Sequence, residues 1–186
     1  KIISKNDFDI FLQSMQSSPR LYFTSNHDEN SWNGTEFEKY GIYAKALSVF
    51  TFIYPHSVPF IYSGQEIPNL KRLSFFDKDE IDWNRDVQFY SFYKILIQER
   101  KQILNELQIE YIASNKKMIA FRLNNAEEIF FVFLSFEEEP FSFECNLSTH
   151  EYGFYKNIFS SKIERYDSNI NLELSPGDYL VLRQMK

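Results

Sequence analysis

The stretch Leu21-Tyr22-Phe23-Thr24-Ser25-Asn26-His27-Asp28-Glu29-Asn30 decides the reading of this chain. Its first half is a short apolar run that suits a buried strand over 21–25. Its second half turns abruptly polar. In parallel α/β architectures, active sites are built at the C-terminal ends of strands. Polar and charged groups crowded at such an end are costly unless they are solvated or used. On spacing alone, a solvated loop with a helix-capping Asp is the better account of them.

Downstream, Thr35 and Glu38 have the spacing of a capping box. They open a helix expected to run to about Tyr54, with Tyr40, Tyr43, Ala44, Leu47, Phe50 and Phe52 as its apolar content, stopped by Pro55. A second strand is expected over Pro59-Phe60-Ile61-Tyr62-Ser63, ending at Gly64. A loop containing Asp77, Asp79, Glu80 and Asp82 follows. Phe89, Phe92, Tyr93, Leu96, Ile103, Leu104 and Leu107 then form the stripe of an amphipathic helix from about 86 to 107. Upstream, Phe8, Phe11, Leu12 and Met15 share one face of a helix over 7–16, with Asp7 as N-cap and Pro19 beyond its end. Helix, strand, helix, strand, helix is the order of parallel βα units. Two strands cannot make a parallel sheet covered on both faces, so partner strands are expected from outside the chain.

From residue 109 onward the pattern changes. Short strands are expected near 109–113, 117–123, 128–135, 140–146, 152–160, 170–174 and 178–183. Asn124-Asn125, Glu137 to Pro140, Ser148-Thr149 and Pro176-Gly177 punctuate them. Such spacing predicts a small antiparallel β-sandwich. The fold class is therefore α/β plus all-β.

Composition narrows the function. Of 186 residues, 20 are Phe and 12 Tyr; core packing accounts for most of these rings, and exposed ones can stack on sugar faces. The net charge is −6 and no Lys/Arg cluster stands out, which argues against a nucleic-acid partner. No run of about 18 apolar residues is present, so no membrane span is expected. Cys145 is the sole cysteine, which excludes an intrachain disulfide. The first residues do not form a signal peptide and there is no initiating Met. The chain is expected to be a piece of a longer protein or a processed product, with its compartment open.

The strand ending in Asn26-His27-Asp28 resembles the strand-seven motif of the α-amylase family, the family 13 glycoside hydrolases. Val58-Pro59-Phe60-Ile61-Tyr62-Ser63-Gly64-Gln65-Glu66 resembles that family's strand-eight segment. Lys94 to Arg100 resembles its eighth helix. The tail from Leu172 through Pro176-Gly177 to Leu182 resembles the closing strands of its C-terminal β-domain. The resemblance runs in order along essentially the whole chain. It implies the C-terminal part of a (β/α)8 TIM barrel over 1–107, with strands seven and eight, and a C-terminal antiparallel β-sandwich over 108–186.

The resemblance also implies roles. Asp28 matches the carboxylate that binds two sugar hydroxyls at the cleavage subsite of a retaining enzyme, through bonds that tighten in the transition state. It is catalytic as a stabiliser and not as the nucleophile. His27 matches a substrate-binding His, which offers an N–H while neutral; a structural imidazole is the alternative. Asn26 supports the turn. Trp32 either stacks on a neighbouring sugar or simply packs. Gln65 and Glu66 read as braces for the site more than as sugar ligands. The nucleophile, the acid/base and the family's calcium segment lie upstream, so no cofactor is expected within this chain. Asp77, Asp79, Glu80 and Asp82 lack the Gly and terminal Glu of an EF-hand and read as a solvated acidic loop, giving no metal site. His56 and His150 carry no motif.

The expected partner is an α-glucan such as starch or a maltooligosaccharide. A second expected partner is the remainder of the barrel or a second copy of the chain. The fragment alone is expected to be inactive, and the β-domain to fold alone. Two other readings stand beside this one: a non-catalytic carbohydrate-binding or structural module, and a related transferase or branching enzyme.

Overall fold

In a computed structural model that describes residues 19–84, 88–102, 107–114 and 117–186, β1 (Arg20–Tyr22) pairs in parallel with β2 (Ser57–Pro59), Leu21 lying beside Val58. The helix expected over 7–16 lies outside the described residues. Both strands are shorter than the sequence predicts and begin earlier. The ladder extends only to Phe60 N–H, which donates to Tyr22 O at 2.9 Å. Beyond it the backbone turns into loops, and Tyr62 N–H donates instead to the Gln65 side chain at 2.7 Å.

The described residues fall into two compact units, 19–102 and 107–186. In the first, β1 and β2 are joined through α1 (Glu36–Tyr40), a 3-10 turn (Gly41–Tyr43) and α2 (Ala44–Ile53). The capping box forms: Glu38 N–H donates to Thr35 Oγ1 at 3.2 Å, and Thr35 N–H to Glu38 Oε2 at 2.7 Å. The single helix expected from Thr35 to Tyr54 is nevertheless broken. Gly41 takes φ 54°, a conformation that glycine adopts without strain, and closes α1. α2 is buried almost all round, from Ala44 and Ala46 to Phe52 and Ile53. It ends at Tyr54, which is extended because Pro55 follows.

α3 (Gln88–Gln102) buries Phe92, Tyr93 and Leu96. Ile103 and Leu104 lie outside the described residues. Leu107 is buried but stands outside the helix, directly before the next strand. Arg100 donates to Tyr54 O at 2.9 Å, to Pro55 O at 3.1 Å and to Ser57 O. It thereby serves carbonyls left at the end of α2 and the start of β2. Tyr22 meets Tyr54 edge-on at 6.2 Å on the helix side of the parallel pair. The opposite side presents Leu21, Phe23, Val58 and Phe60, all exposed, with Phe23 and Phe60 in T-shaped contact at 6.4 Å.

The second unit holds β3 (Gln108–Ser114), β4 (Met118–Asn124), β5 (Ile129–Ser135), β6 (Phe141–Asn146), β7 (Gly153–Asn157), β8 (Ile163–Tyr166), β9 (Asn169–Leu174) and β10 (Tyr179–Gln184). A six-stranded sheet runs in the order β3-β4-β5-β10-β7-β8, and β6 pairs with β9 in a second sheet. All of these pairs are antiparallel. Ala120, Phe131 and Phe133 from the large sheet meet Cys145, Ile170 and Leu174 from the small one in a single core. β8 was not expected, and the strand expected over 152–160 ends at Asn157. β8 is an edge strand with mostly exposed, charge-rich residues, so its sequence lacks a buried stripe.

β5 is the centre of this unit. Its sequence Ile-Phe-Phe-Val-Phe-Leu-Ser is buried at every position, on both faces of the sheet. Phe133 is fully buried and stacks on Phe131 at 6.2 Å. Phe133→Ala is expected to lower unfolding stability by about 3–5 kcal/mol, read from denaturant titration; a loss below about 1 kcal/mol would show that the core collapses around the site.

Candidate active site

Because β1 and β2 run in parallel, the loops that follow them leave from the same edge. After β1, residues 26–30 turn into a short π-helical segment, Glu29–Asn33. The Asn26 side chain starts this turn by accepting from Glu29 N–H at 2.8 Å, and Asn26 O accepts from Asn30 N–H at 2.8 Å. After β2, Gly64 turns the chain, and its N–H donates to Glu66 Oε2 at 2.9 Å. Glu66 thus serves its own loop.

Gln65 reaches across. Its Nε2 donates to Thr24 Oγ1 at 2.7 Å and to Glu36 Oε2 at 2.5 Å, while Thr24 Oγ1 donates to the same Glu36 oxygen at 2.6 Å. The carboxamide has one workable orientation. Tyr62 N–H can only donate, so it must face Gln65 Oε1, and Nε2 is left for Glu36. Tyr93 from α3 joins through its hydroxyl, 3.4 Å from Gln65 Nε2 and 3.1 Å from Ser48 Oγ on α2. Thr24, Glu36, Ser48 and Gln65 are all buried. Burial pushes the Glu36 carboxyl above the usual carboxylate range, against the pull of the hydrogen bonds from Thr24 and Gln65.

His27 and Asp28 lie at the start of the π-helical turn with both side chains exposed, His27 Nε2 standing 3.6 Å from Asp28 Oδ2. The turn itself is held from two sides, by Leu73 and by Lys39. Asn30 is buried, and its Oδ1 accepts from Leu73 N–H at 2.7 Å. Ser31 Oγ donates to Leu73 O at 2.7 Å. Glu29 pairs with Lys39 of α1 at 2.9 Å, and this contact holds its carboxyl below the usual range. The turn and the 69–82 loop are thereby clamped together. Arg72 grips Glu38 through both carboxylate oxygens at 3.0 and 3.2 Å.

The acidic loop does more than face water. Asp79 pairs with Lys71 and accepts from the backbone N–H groups of Ser74 and Glu80 at 2.9 and 2.7 Å, which together bring its carboxyl down to about 2. Among the described residues no group of three or more His, Cys, Asp and Glu side chains could hold a metal ion. His56 meets Tyr54 edge-on at 6.1 Å. His150 lies in a 3-10 turn of the second unit. Cys145 is buried, which pushes its thiol up to about 11.

Among the residues named from sequence, the structure gathers His27, Asp28 and Trp32, and Phe75 of the neighbouring loop joins them. The His27 ring stacks on Phe75 at 5.8 Å, and Trp32 contacts Phe75 at 5.3 Å. Gln65 contacts the same strand end from beneath, through Thr24. Phe75, Phe76, Glu36 and Tyr93 were not singled out as site residues from sequence. Only an adjacent pair of large rings inside a polar loop hinted at the first two.

No family model and no curated protein matches the sequence. Solved structures do match. A cyclomaltodextrinase superposes with a TM-score of 0.77 at 16% identity, over 99% of this chain and 34% of that chain. An α-amylase from Geobacillus thermoleovorans, complexed with acarbose, gives 0.74 at 14% identity, over 97% and 43%. A maltogenic α-amylase from Thermotoga neapolitana gives 0.73 at 16% identity, over 96% and 45%. The chain thus has the mixed helix-and-sheet fold of the C-terminal region of α-amylase-type glycosidases. It spans less than half the length of each of these three.

The buried carboxyl has a consequence for stability. A carboxyl whose pKa is raised by folding contributes most at low pH: the contribution is complete below the unfolded value of about 4.3 and is lost as pH rises through the folded value. The stability difference between the parent protein and Glu36→Gln is therefore expected to shift in favour of the variant as pH rises across that window. Urea midpoints at a series of pH values check this, and a pH-independent difference would count against it.

Proposed function

We propose that the chain is the C-terminal part of an α-amylase-type glycoside hydrolase that acts on α-glucans by a retaining mechanism. The observation that carries this reading is the Asn26-His27-Asp28 turn. It leaves the end of a parallel strand, is braced by Gln65 from the next one, and belongs to a chain with the amylase-type fold over nearly its whole length. The neighbours' complexes with acarbose, maltose and maltotriose support α-glucan oligosaccharides as the ligand class.

In this reading residues 1–107 are the last two βα units of a TIM barrel and residues 108–186 its C-terminal β-domain. The exposed side of the parallel pair supports it. Leu21, Phe23, Val58 and Phe60 form an apolar face of the kind that further barrel strands cover. A groove of about 560 Å³ beside β2 and α3, lined by Ile61, Tyr62, Tyr90, Tyr93 and Ile97, is a second surface for them. The partner is the remainder of the barrel.

Asp28 binds two hydroxyls of the sugar at the cleavage point. A carboxylate accepts two hydrogen bonds side by side, and its charge lies near the positive charge that develops on the ring. His27 donates to the same sugar, and Trp32 contacts the next one. Asn26 holds the turn, and Gln65 and Glu66 hold the loops. The nucleophile and the acid/base carboxylate come from upstream residues, and any calcium from an upstream segment. The 186-residue chain alone is therefore inactive.

In the polypeptide that carries the upstream residues, Asp28→Asn is expected to lower kcat on maltooligosaccharides by about 10²–10³-fold, roughly 3–4 kcal/mol of transition-state stabilisation, with the fold intact. Near-normal turnover in a folded variant would remove Asp28 from the mechanism.

A further inference from the structure

A small cavity of about 10 Å³ adjoins the strand end that carries Asn26-His27-Asp28, with Ser25, Asn30, Thr35, Glu36 and Gln65 among its walls. Three of these side chains are already engaged. Asn30 Oδ1 accepts from Leu73 N–H, Thr35 Oγ1 from Glu38 N–H, and Gln65 Oε1 from Tyr62 N–H. Two oxygens are not. Ser25 Oγ and Glu36 Oε1 are buried and have no hydrogen-bond partner among the described residues. Ser25 is 2% exposed and Glu36 3%, so bulk solvent does not serve them. A polar group buried without a partner is costly, and native folds leave few of them.

The other carboxylate oxygen narrows what can meet this need. Glu36 Oε2 accepts from Thr24 Oγ1 at 2.6 Å and from Gln65 Nε2 at 2.5 Å, so both of its lone pairs are used. A proton on Glu36 therefore sits on Oε1, and burial favours that neutral form. The partner of Oε1 must accept from the neutral acid and donate to the carboxylate. A cation suits only the carboxylate. A water molecule suits both forms, and a cavity of this volume holds one.

We propose that this cavity is a binding site for one water molecule, which bridges Glu36 Oε1 and Ser25 Oγ. Ser25 directly precedes Asn26, whose side chain and carbonyl start the turn by accepting from Glu29 and Asn30 N–H. Glu36 is the first residue of α1. The water thus ties the start of the turn to that helix. Thr24 and Gln65 hold one oxygen of the carboxyl, and the water carries the same network from the other oxygen toward His27 and Asp28.

The test is a high-resolution crystal structure of the full-length protein, with amide hydrogen exchange beside it. A single density peak is expected within hydrogen-bond distance of both oxygens, about 2.6–3.2 Å. It persists in Glu36→Gln, whose amide nitrogen takes the place of Oε1 and donates to the same water. In Ser25→Ala the Glu29 and Asn30 amides are expected to exchange about fivefold to tenfold faster, the effect of one lost hydrogen bond, with the β-unit unchanged. A direct Ser25–Glu36 hydrogen bond with no peak between them overturns the site. So does a peak with about six oxygen ligands at metal distances. Unchanged exchange at Glu29 and Asn30 overturns the tie to the turn. If Ser25→Ala does not fold, the peak in the parent protein and in Glu36→Gln decides. Neither measurement depends on what the protein acts on.

Discussion

The hydrogen bonds from the Gln65 carboxamide to Thr24 and Glu36 join the ends of two strands that share only a three-residue ladder. Such a short parallel pair has little cohesion of its own. The buried side chains continue the pairing where the backbone stops. Glu36 is the costly member, a carboxyl taken out of water, and its two donors offset part of that cost. The same network reaches α2 through Ser48 and α3 through Tyr93. One cluster of polar groups therefore fixes both strand ends and both long helices of the unit, and the loops that carry His27, Asp28 and Glu66 start from it.

Around this anchor the loops are held by charge and by backbone contacts instead of apolar packing. Lys39 holds Glu29, Arg72 holds Glu38, and Lys71 holds Asp79. Each surface pair contributes little alone. Their arrangement matters more, because they restrain the segments on either side of His27 and Asp28 while leaving those two side chains exposed. In the role proposed for Asp28, a group that meets a developing charge works best when its support is already in place.

Legibility in the sequence followed the distance over which each feature is determined. The capping box of Thr35 and Glu38 was readable because three residues specify it. The strands of the β-unit were readable from alternation and from the continuous apolar run of β5. The break at Gly41 was not, because nothing in the apolar pattern distinguishes a helix that pauses from one that continues; the positive φ decides it. β8 was missed because an edge strand buries too little to show a period. In the site, Asn26-His27-Asp28 was visible as a local cluster. Glu36 and Phe75 were not, since their partners lie far along the chain: Gln65 is 29 residues from Glu36, and Trp32 meets Phe75 across a loop that only the clamp at Leu73 explains.

β5 carries a liability along with its core. A run of six apolar residues with high strand propensity, buried on both faces once folded, is the kind of segment that stacks between chains while it is still unprotected. Its flanks oppose that. Glu127 and Glu128 precede it, and Glu137, Glu138 and Glu139 form the bend that follows it. Stacked in register, such ends would place like charges above one another, so the acids act as gatekeepers during folding. In the finished unit Glu128 is drawn into an ion pair with Arg183 of β10, the strand that covers one side of β5. The carboxylate that guards the nascent strand is thus reused to hold its neighbour.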